Sequence, residues 1–369
     1  MNQLAPNTQK VFMCKAPWVS MAFQPSGKAG PCCAFELENL QEVGATIKDI
    51  FVQERADFLA GHVPDGCKKC HYSFLQTGKS YANDFDKYQT DFNTVNIQEI
   101  NVKANNICNL ACRSCGPHFS SQWEKEFSTV IKITKDNLVF EKLKLLDIQS
   151  LTKIVIAGGE PTLAQDHVSL LQMLYQLGHT NVEIRIATNL TSLKYKETDL
   201  VSLWQKFPRL ILHISIDAVG NQAKNIRSGT DWDSVSNNLD IIVNSGINHY
   251  VMTTVSALNI WFLEDTVAHL KKNHNIRQIE FNPLIGPEEL SIQVIPDEYR
   301  YHLNGILDRC TDLGCNATQV KTYFNNSDHR PDLWTKFLIY NLILDHTRKE
   351  DFFGSLPIKQ DLIEKWVRL

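Results

Sequence analysis

At 369 residues the chain is long enough to bury one large core plus a smaller module, or two cores. With 37 basic against 41 acidic residues the net charge is −4 and the pI about 6.3, which gives no electrostatic footprint for nucleic acid or an anionic membrane. Apolar runs such as KFLIYNLILDH and RLILHISIDAV are too short and interrupted to span a bilayer, and MNQLAPNTQK lacks a signal-peptide core, so a cytoplasmic protein is expected.

The first hundred residues are irregular. Turn signals at Pro25-Ser26-Gly27 and Gly30-Pro31 precede a short helix expected over Ala45 to Ala60, then PDGCKKC and the polar stretch SYANDFDKYQTDFNT. This reads as a small module without a large core, covering residues 1–97. From Ile100 the texture changes to β-rich runs alternating with helical ones. INVKAN precedes SSQWEKEFSTVIKI, KIVIAGG precedes AQDHVSLLQMLYQLG, and VEIRIATN precedes DLVSLWQKF. RLILHISID and HYVMTTVS follow with helices of their own, and RQIEFNPL comes last. Six βα units with near-continuous apolar strands predict an α/β fold with a parallel sheet buried on both faces, arranged as a partial (β/α)6 TIM-like barrel over 98–290. An open doubly wound sheet is the rival that periodicity does not separate from it. Residues 291–369 read as a helical carboxy-terminal extension, with Trp334, Phe337 and Trp366 available for packing.

In either architecture the strand C-terminal ends face the site, and here they carry unusual residues. The stretch NNICNLACRSCGP sets Cys108, Cys112 and Cys115 at a C-x3-C-x2-C spacing. Ten cysteines in a reducing compartment point to metal or redox chemistry rather than disulfides. Three thiolates on a loop can wrap a 4Fe-4S cubane, leaving one iron without a protein ligand, whereas zinc needs a fourth group such as His118. Further on, IVIAGGEPTL ends a strand with two glycines that let a ligand approach the backbone, and Glu160 offers a carboxylate to an ammonium. The plain alternative is a strand stop followed by a helix starting at Pro161.

CNLACRSC together with GGEP resembles the radical S-adenosylmethionine (SAM) superfamily, over about residues 100 to 290. The resemblance implies that SAM chelates the open iron through its amino and carboxylate groups, and that the reduced cluster cleaves it to methionine and a 5'-deoxyadenosyl radical. It makes Cys108, Cys112 and Cys115 the cluster ligands and Gly158, Gly159 and Glu160 the methionine-binding element. ATNL matches the element that places Thr188 and Asn189 near SAM, and SIDA points to Ser215 and Asp217 at the ribose. Asp217 as a turn cap and Ser215 as an ordinary strand hydroxyl remain open. Arg227 matches the arginine that pairs with the SAM carboxylate, and Asn259 is a further, weaker match.

A second constellation lies at the amino terminus: Cys14, the pair Cys32-Cys33, and Cys67-x2-Cys70. Four thiolates can close a zinc site or a second 4Fe-4S cluster, and either would stabilise a module with little core. The segments CKAPWVSMAFQPSGKAGPCC and GCKKCHYSFLQTGKSYAND resemble the auxiliary-cluster module called twitch or SPASM, which favours iron and assigns Cys14, Cys32, Cys67 and Cys70 as ligands with Cys33 as alternate. Such a cluster has no open iron and suits electron relay or pocket shaping. Cys310 and Cys315 read as buried small hydrophobes rather than a ligand pair or hydrogen-atom donor. His249, His269 and His274 read as helix and loop surface. No GxSxG, P-loop or GxGxxG is present.

The expected function is hydrogen-atom abstraction from a substrate, by resemblance a ribosomally made peptide undergoing oxidation, crosslinking or epimerisation. A sugar, nucleoside or other small molecule is the alternative, and a non-catalytic zinc or iron-sulfur binding module is the rival from another class. An electron donor such as flavodoxin or ferredoxin is implied.

Overall fold

Nine strands share one sheet in this computed structural model, which describes residues 12–44, 46–77, 79–128, 138–326 and 329–358. The amino-terminal stretch contributes β1 (Ser20–Phe23), β2 (Lys28–Gly30) and β3 (Gln41–Glu42). The βα units contribute β4 (Glu99–Lys103), β5 (Lys153–Ala157), β6 (Glu183–Thr188), β7 (Leu210–Ser215), β8 (Asn248–Val255) and β9 (Ile279–Pro283). These last six are all parallel and lie side by side in chain order. A doubly wound sheet reverses its order at a switch point, and this one does not. Crossovers that share the usual hand and all advance the same way put the helices on one face and curl the sheet, so the fold is the partial (β/α)6 barrel.

The strands are not buried on both faces as their composition suggests. In β6 Ile184, Ile186 and Thr188 are buried while Glu183, Arg185 and Ala187 are half-buried, and β7 alternates in the same way. The apolar set faces the helices, among them Gln165–Gln176, Trp232–Asn244 and Leu263–His274. The other set lines the concave side of a barrel that does not close, where β9 and β4 are unpaired to each other. Polar side chains such as Arg185 and His213 remain tolerable there because water reaches them.

The place beside β4 is taken by β1, which pairs with it in parallel register, Ser20 opposite Glu99 through Phe23 opposite Val102. β2 and β3 then extend the sheet antiparallel. The amino-terminal stretch therefore shares the barrel's sheet, and Met21 and Phe23 join its core. Phe12, Cys14, Trp18, Phe35, Phe58, Cys67 and Phe85 form a second, smaller core. The helix expected over Ala45 to Ala60 is shorter, Val52–Leu59, and follows Phe51 in a left-handed conformation.

The carboxy-terminal extension is helical: Asp297–Asp312, Thr318–Asn326, Trp334–Arg348 and Phe352–Ser355. Trp334 and Phe337 are fully buried and stack with centroids 4.7 Å apart. Trp366 lies outside the described residues; the helix expected through SSQWEKEFSTVIKI ends at Glu126, with Phe127 and Ser128 in a turn and the rest of that span outside the described residues. Among the described residues no helix is long and apolar enough to cross a membrane. His274, expected at the surface, is buried between Asp240, 2.7 Å from its Nδ1, and Ser236.

His167, in the first turn of the helix after β5, is buried with Nδ1 3.3 Å from the Pro161 carbonyl. Burial depresses its pKa from 6.5 to about 4. The unfolded chain takes up this proton first on acidification. Its contribution to stability is thus intact above pH 6.5 and is lost as pH falls toward 4. Denaturant unfolding of the apoprotein across that window should show a shallower pH dependence in His167→Gln than in wild type. Equal slopes would remove His167 from the account.

Candidate functional site

The loop from Asn105 to Pro117 carries the three cysteines, and backbone hydrogen bonds hold it on two sides. Ala111–Cys112 forms a short antiparallel ladder with Arg227–Ser228, setting Cys112 opposite Arg227. On the other side Gly159 N donates to Asn105 O at 3.1 Å and Glu160 N to Ile107 O at 2.7 Å. This approach explains the second glycine. A Cβ at residue 159 would lie 2.2 Å from Ile107 O, while Gly158 has φ 123°, which side chains rarely adopt.

Glu160 is fully buried, and its carboxylate accepts four hydrogen bonds. Oε1 takes Thr162 N at 3.1 Å, Thr162 Oγ1 at 2.9 Å and Thr188 Oγ1 at 2.6 Å. Oε2 takes Asn189 N at 2.7 Å and keeps a lone pair for an incoming donor. Burial raises the Glu160 pKa, and these donors oppose the shift. Asn189 continues the chain of contacts, with Nδ2 donating to Asn109 Oδ1 in the cysteine loop at 3.1 Å.

Arg227 lies against the thiols. Its Nε donates to Asp217 Oδ2 at 2.8 Å and Nη1 to Ser215 O at 2.7 Å, and Nη2 has no partner among the described residues. Burial opposes its charge, but Cys112, Asp217 and Cys108 together raise its pKa. Burial pushes the Cys108 thiol up to about 11 and Cys112 to about 12, with Arg227 pulling both back. The same guanidinium thus favours thiolate formation.

These groups border one cavity of about 520 Å³. Cys108, Cys112, Cys115, Gly158, Gly159, Glu160, Thr188, Asn189, Ser215 and Arg227 line it; Asp217 does not. Asp217 Oδ2 accepts from Arg227 and Oδ1 from Thr254 N at 2.9 Å, so Asp217 orients Arg227. Asn259 is completely buried and binds backbone groups of Asp217, Thr254 and Ser256, which makes it a brace for the strand end. His118, weighed as a zinc ligand, lines the cavity beside Phe119, Leu284 and Pro287. Among the described residues no three His, Cys, Asp or Glu side chains converge as the ligands of a single metal ion. A cubane needs no such convergence, since each sulfur meets a different iron.

The model of the radical SAM superfamily matches residues 102–271, which span β4 to the helix after β8. This segment is a radical SAM domain. A domain of this superfamily implies a 4Fe-4S cluster and SAM. A curated GTP 3',8-cyclase from Sulfurimonas denitrificans is 27% identical over 195 residues, which is 50% of this chain and 56% of that protein. The chain therefore matches little more than half the length of this relative. Among solved structures, Streptococcus suis SuiB bound to S-adenosylmethionine is 16% identical with a TM-score of 0.42, covering 67% of this chain and 53% of that one. Native anSMEcpe with bound AdoMet and Cp18Cys peptide is 18% identical with a TM-score of 0.39, covering 57% and 58%.

The residues of the radical SAM domain fit the implied group: three thiols border one cavity with glycine backbone, a carboxylate with a spare lone pair and a guanidinium with a spare nitrogen. At the amino terminus Cys14 and Cys67 lie in the smaller core, and Cys32 and Cys70 pack against it. Burial raises the Cys14 thiol to about 12 and Cys32 well above its ordinary value, with Cys70 adding to the first and Cys14 and Cys67 to the second. Cys33 instead lies 3.0 Å from the Tyr81 hydroxyl. Cys310 and Cys315 are buried in the main core. Sequence reasoning passed over Arg113, which is completely buried between Cys112 and Cys115; its only signal is a cation inside a cysteine motif.

Gly159→Ala should fold yet weaken SAM binding by about tenfold or more, because the methyl collides with backbone rather than with a movable side chain. Equilibrium dialysis with SAM checks this against Gly44→Ala, where an added Cβ meets nothing within 4 Å. Equal affinities would show that the close approach is dispensable.

Proposed function

We propose that the protein is a radical SAM oxidoreductase or maturase that abstracts a hydrogen atom from a ribosomally made peptide, leading to oxidation, crosslinking or epimerisation. The observation that carries the chemistry is the single cavity lined by three thiols, the Gly158-Gly159-Glu160 backbone and Arg227. Cys108, Cys112 and Cys115 would hold the cluster. Glu160 Oε2 and the glycine backbone are suited to an ammonium, and Arg227, steadied by Asp217, to a carboxylate. Thr188, Asn189 and Ser215 border the remaining space, where a nucleoside fits. When bound, the cluster and SAM would supply one-electron reductive cleavage of the sulfonium, the chemistry that yields methionine and an adenosyl radical for hydrogen abstraction.

Cys14, Cys32, Cys67 and Cys70 would hold a second 4Fe-4S cluster, with Cys33 the alternate to Cys32. Supporting this, Cys14 and Cys67 lie in one small core with Cys32 and Cys70 packed against it, while Cys33 lies against Tyr81. All four positions would then be filled, so the second cluster suits electron relay or pocket shaping. The first reductant would be a protein such as flavodoxin or ferredoxin. The peptide reading rests on the resemblance of this cysteine module to auxiliary-cluster modules. A second reading, a nucleotide or other small molecule, is favoured by the likeness to a GTP 3',8-cyclase.

Protein reconstituted anaerobically should bind about eight irons per chain, and about four after Cys14, Cys32, Cys67 and Cys70 are replaced together by Ala. Reduced with dithionite, wild type should convert SAM to 5'-deoxyadenosine, and Cys108→Ala, Cys112→Ala or Cys115→Ala should reduce this to background by chromatography. A cluster-replete wild type that cleaves no SAM would falsify the proposal. Zinc with little iron would point instead to a non-catalytic binding module.

A further inference from the structure

The cysteine loop is gripped by a part of the chain that lies outside the matched segment 102–271. Arg113 is completely buried, and each of its five N–H groups has an acceptor. Nε donates to Asn225 O at 2.6 Å, and Nη1 to Asn341 O at 3.3 Å and Asn341 Oδ1 at 3.1 Å. Nη2 donates to Asp345 Oδ1 and to Glu350 Oε2, the latter at 2.8 Å. The guanidinium also lies over the Phe352 ring, 5.0 Å from its centroid. Four of these five bonds go to residues 341–350, on the helix Trp334–Arg348 and the turn that follows it.

The backbone of the loop is held from the same side. Tyr340 donates its hydroxyl to Arg113 O at 2.6 Å. Arg348 Nη1 donates to Ala111 O at 2.9 Å, while its Nε and Nη2 bind Glu126 at 2.8 Å each. Glu350 reaches the other strand of the ladder by accepting from Ser228 Oγ, next to Arg227. Polar groups buried this deeply cost folding free energy unless all are satisfied, and here they are satisfied by one arrangement of the loop. Lysine could not replace Arg113, since it lacks the planar fork.

We propose that the helix Trp334–Arg348 and the turn through Phe352 form a clasp that sets the geometry of the cysteine loop before any cluster binds, with Arg113, Tyr340, Asp345 and Glu350 as positioning residues. The proposal rests on the reading that this loop holds the SAM-binding cluster. The Gly159-Glu160 backbone and Asn189 hold residues 105–109 of the loop, and the ladder and the clasp hold residues 111–113. A loop already held in place loses less conformational entropy when three thiolates engage a cluster. Through Ser228 the clasp also bears on Arg227, and so on the carboxylate side of the SAM cavity.

Two readouts on Tyr340→Phe and Arg113→Lys test it, with Ile343→Ala, on the exposed face of the same helix, as control. In the apoprotein, amide hydrogen exchange over residues 108–116 should accelerate by about tenfold in both variants and stay unchanged in the control. In reconstituted, reduced protein the change that SAM makes to the cluster's electron paramagnetic resonance spectrum should be diminished, and SAM should bind about tenfold more weakly. Unchanged exchange would overturn the clasp. Faster exchange with a wild-type spectrum and wild-type SAM affinity would reduce it to a structural contact and overturn the positioning role. If Arg113→Lys does not fold, Tyr340→Phe decides, since it removes one hydroxyl only. A wild type that takes up no iron would overturn the cluster reading and the positioning role together. That failure is distinct, because the exchange difference in the apoprotein would persist.

Discussion

An ionised carboxylate removed from water is costly unless donors converge on it, and Glu160 meets that condition with four. Its donors come from its own turn and from the end of the neighbouring strand, so the charge fastens two strand ends together. Its backbone N–H meanwhile binds Ile107 O in the cysteine loop. Asn189, held by Glu160, reaches the same loop through Asn109. One residue, through its side chain and its backbone N–H, thus ties together three chain segments that a parallel sheet brings to a common edge.

The rest of the site follows from that edge. A sheet whose six parallel strands run in chain order has every strand end on one side, and its failure to close leaves the concave face open to ligand and water. Close approach of backbone to backbone then requires glycine at 159. Arg227 faces the thiols from the opposite side, oriented by Asp217 and by the ladder that pairs it with Cys112. The chain adds to this framework at both ends. β1 extends the sheet beyond β4, with a cysteine-bearing core beside it, and the carboxy-terminal helix closes over Arg113.

Much of this was legible in the sequence because it depends on local pattern. The cysteine spacing, the two glycines and the strand-helix alternation are contiguous features, and the strand ends at Thr188 and Ser215 follow from them. What was not legible depends on pairing between distant segments. The stretch Ser20–Phe23 is too short to declare itself a strand, and its parallel partner lies some eighty residues away. The apolar content of RLILHISID concealed that His213 faces the open side. His274 looked like surface because its partners, Asp240 and Ser236, sit on another helix. KFLIYNLILDH read as an apolar packing helix, yet Asn341 and Asp345, the polar residues that interrupt it, are the ones that take Arg113. Asp217 matched a ligand-facing position, but no local feature told that it lies behind the cavity wall, bonded to Arg227 and Thr254 N.

The central claim is that three thiolates hold a cluster whose remaining iron takes SAM through its amino and carboxylate groups. Electron-nuclear double resonance on the reduced protein tests it most directly, using SAM labelled with ¹⁵N in the amino group and ¹⁷O in the carboxylate. The account predicts hyperfine coupling of both labels to the cluster spin. A fully loaded, reduced cluster that shows no coupling to either label would contradict it.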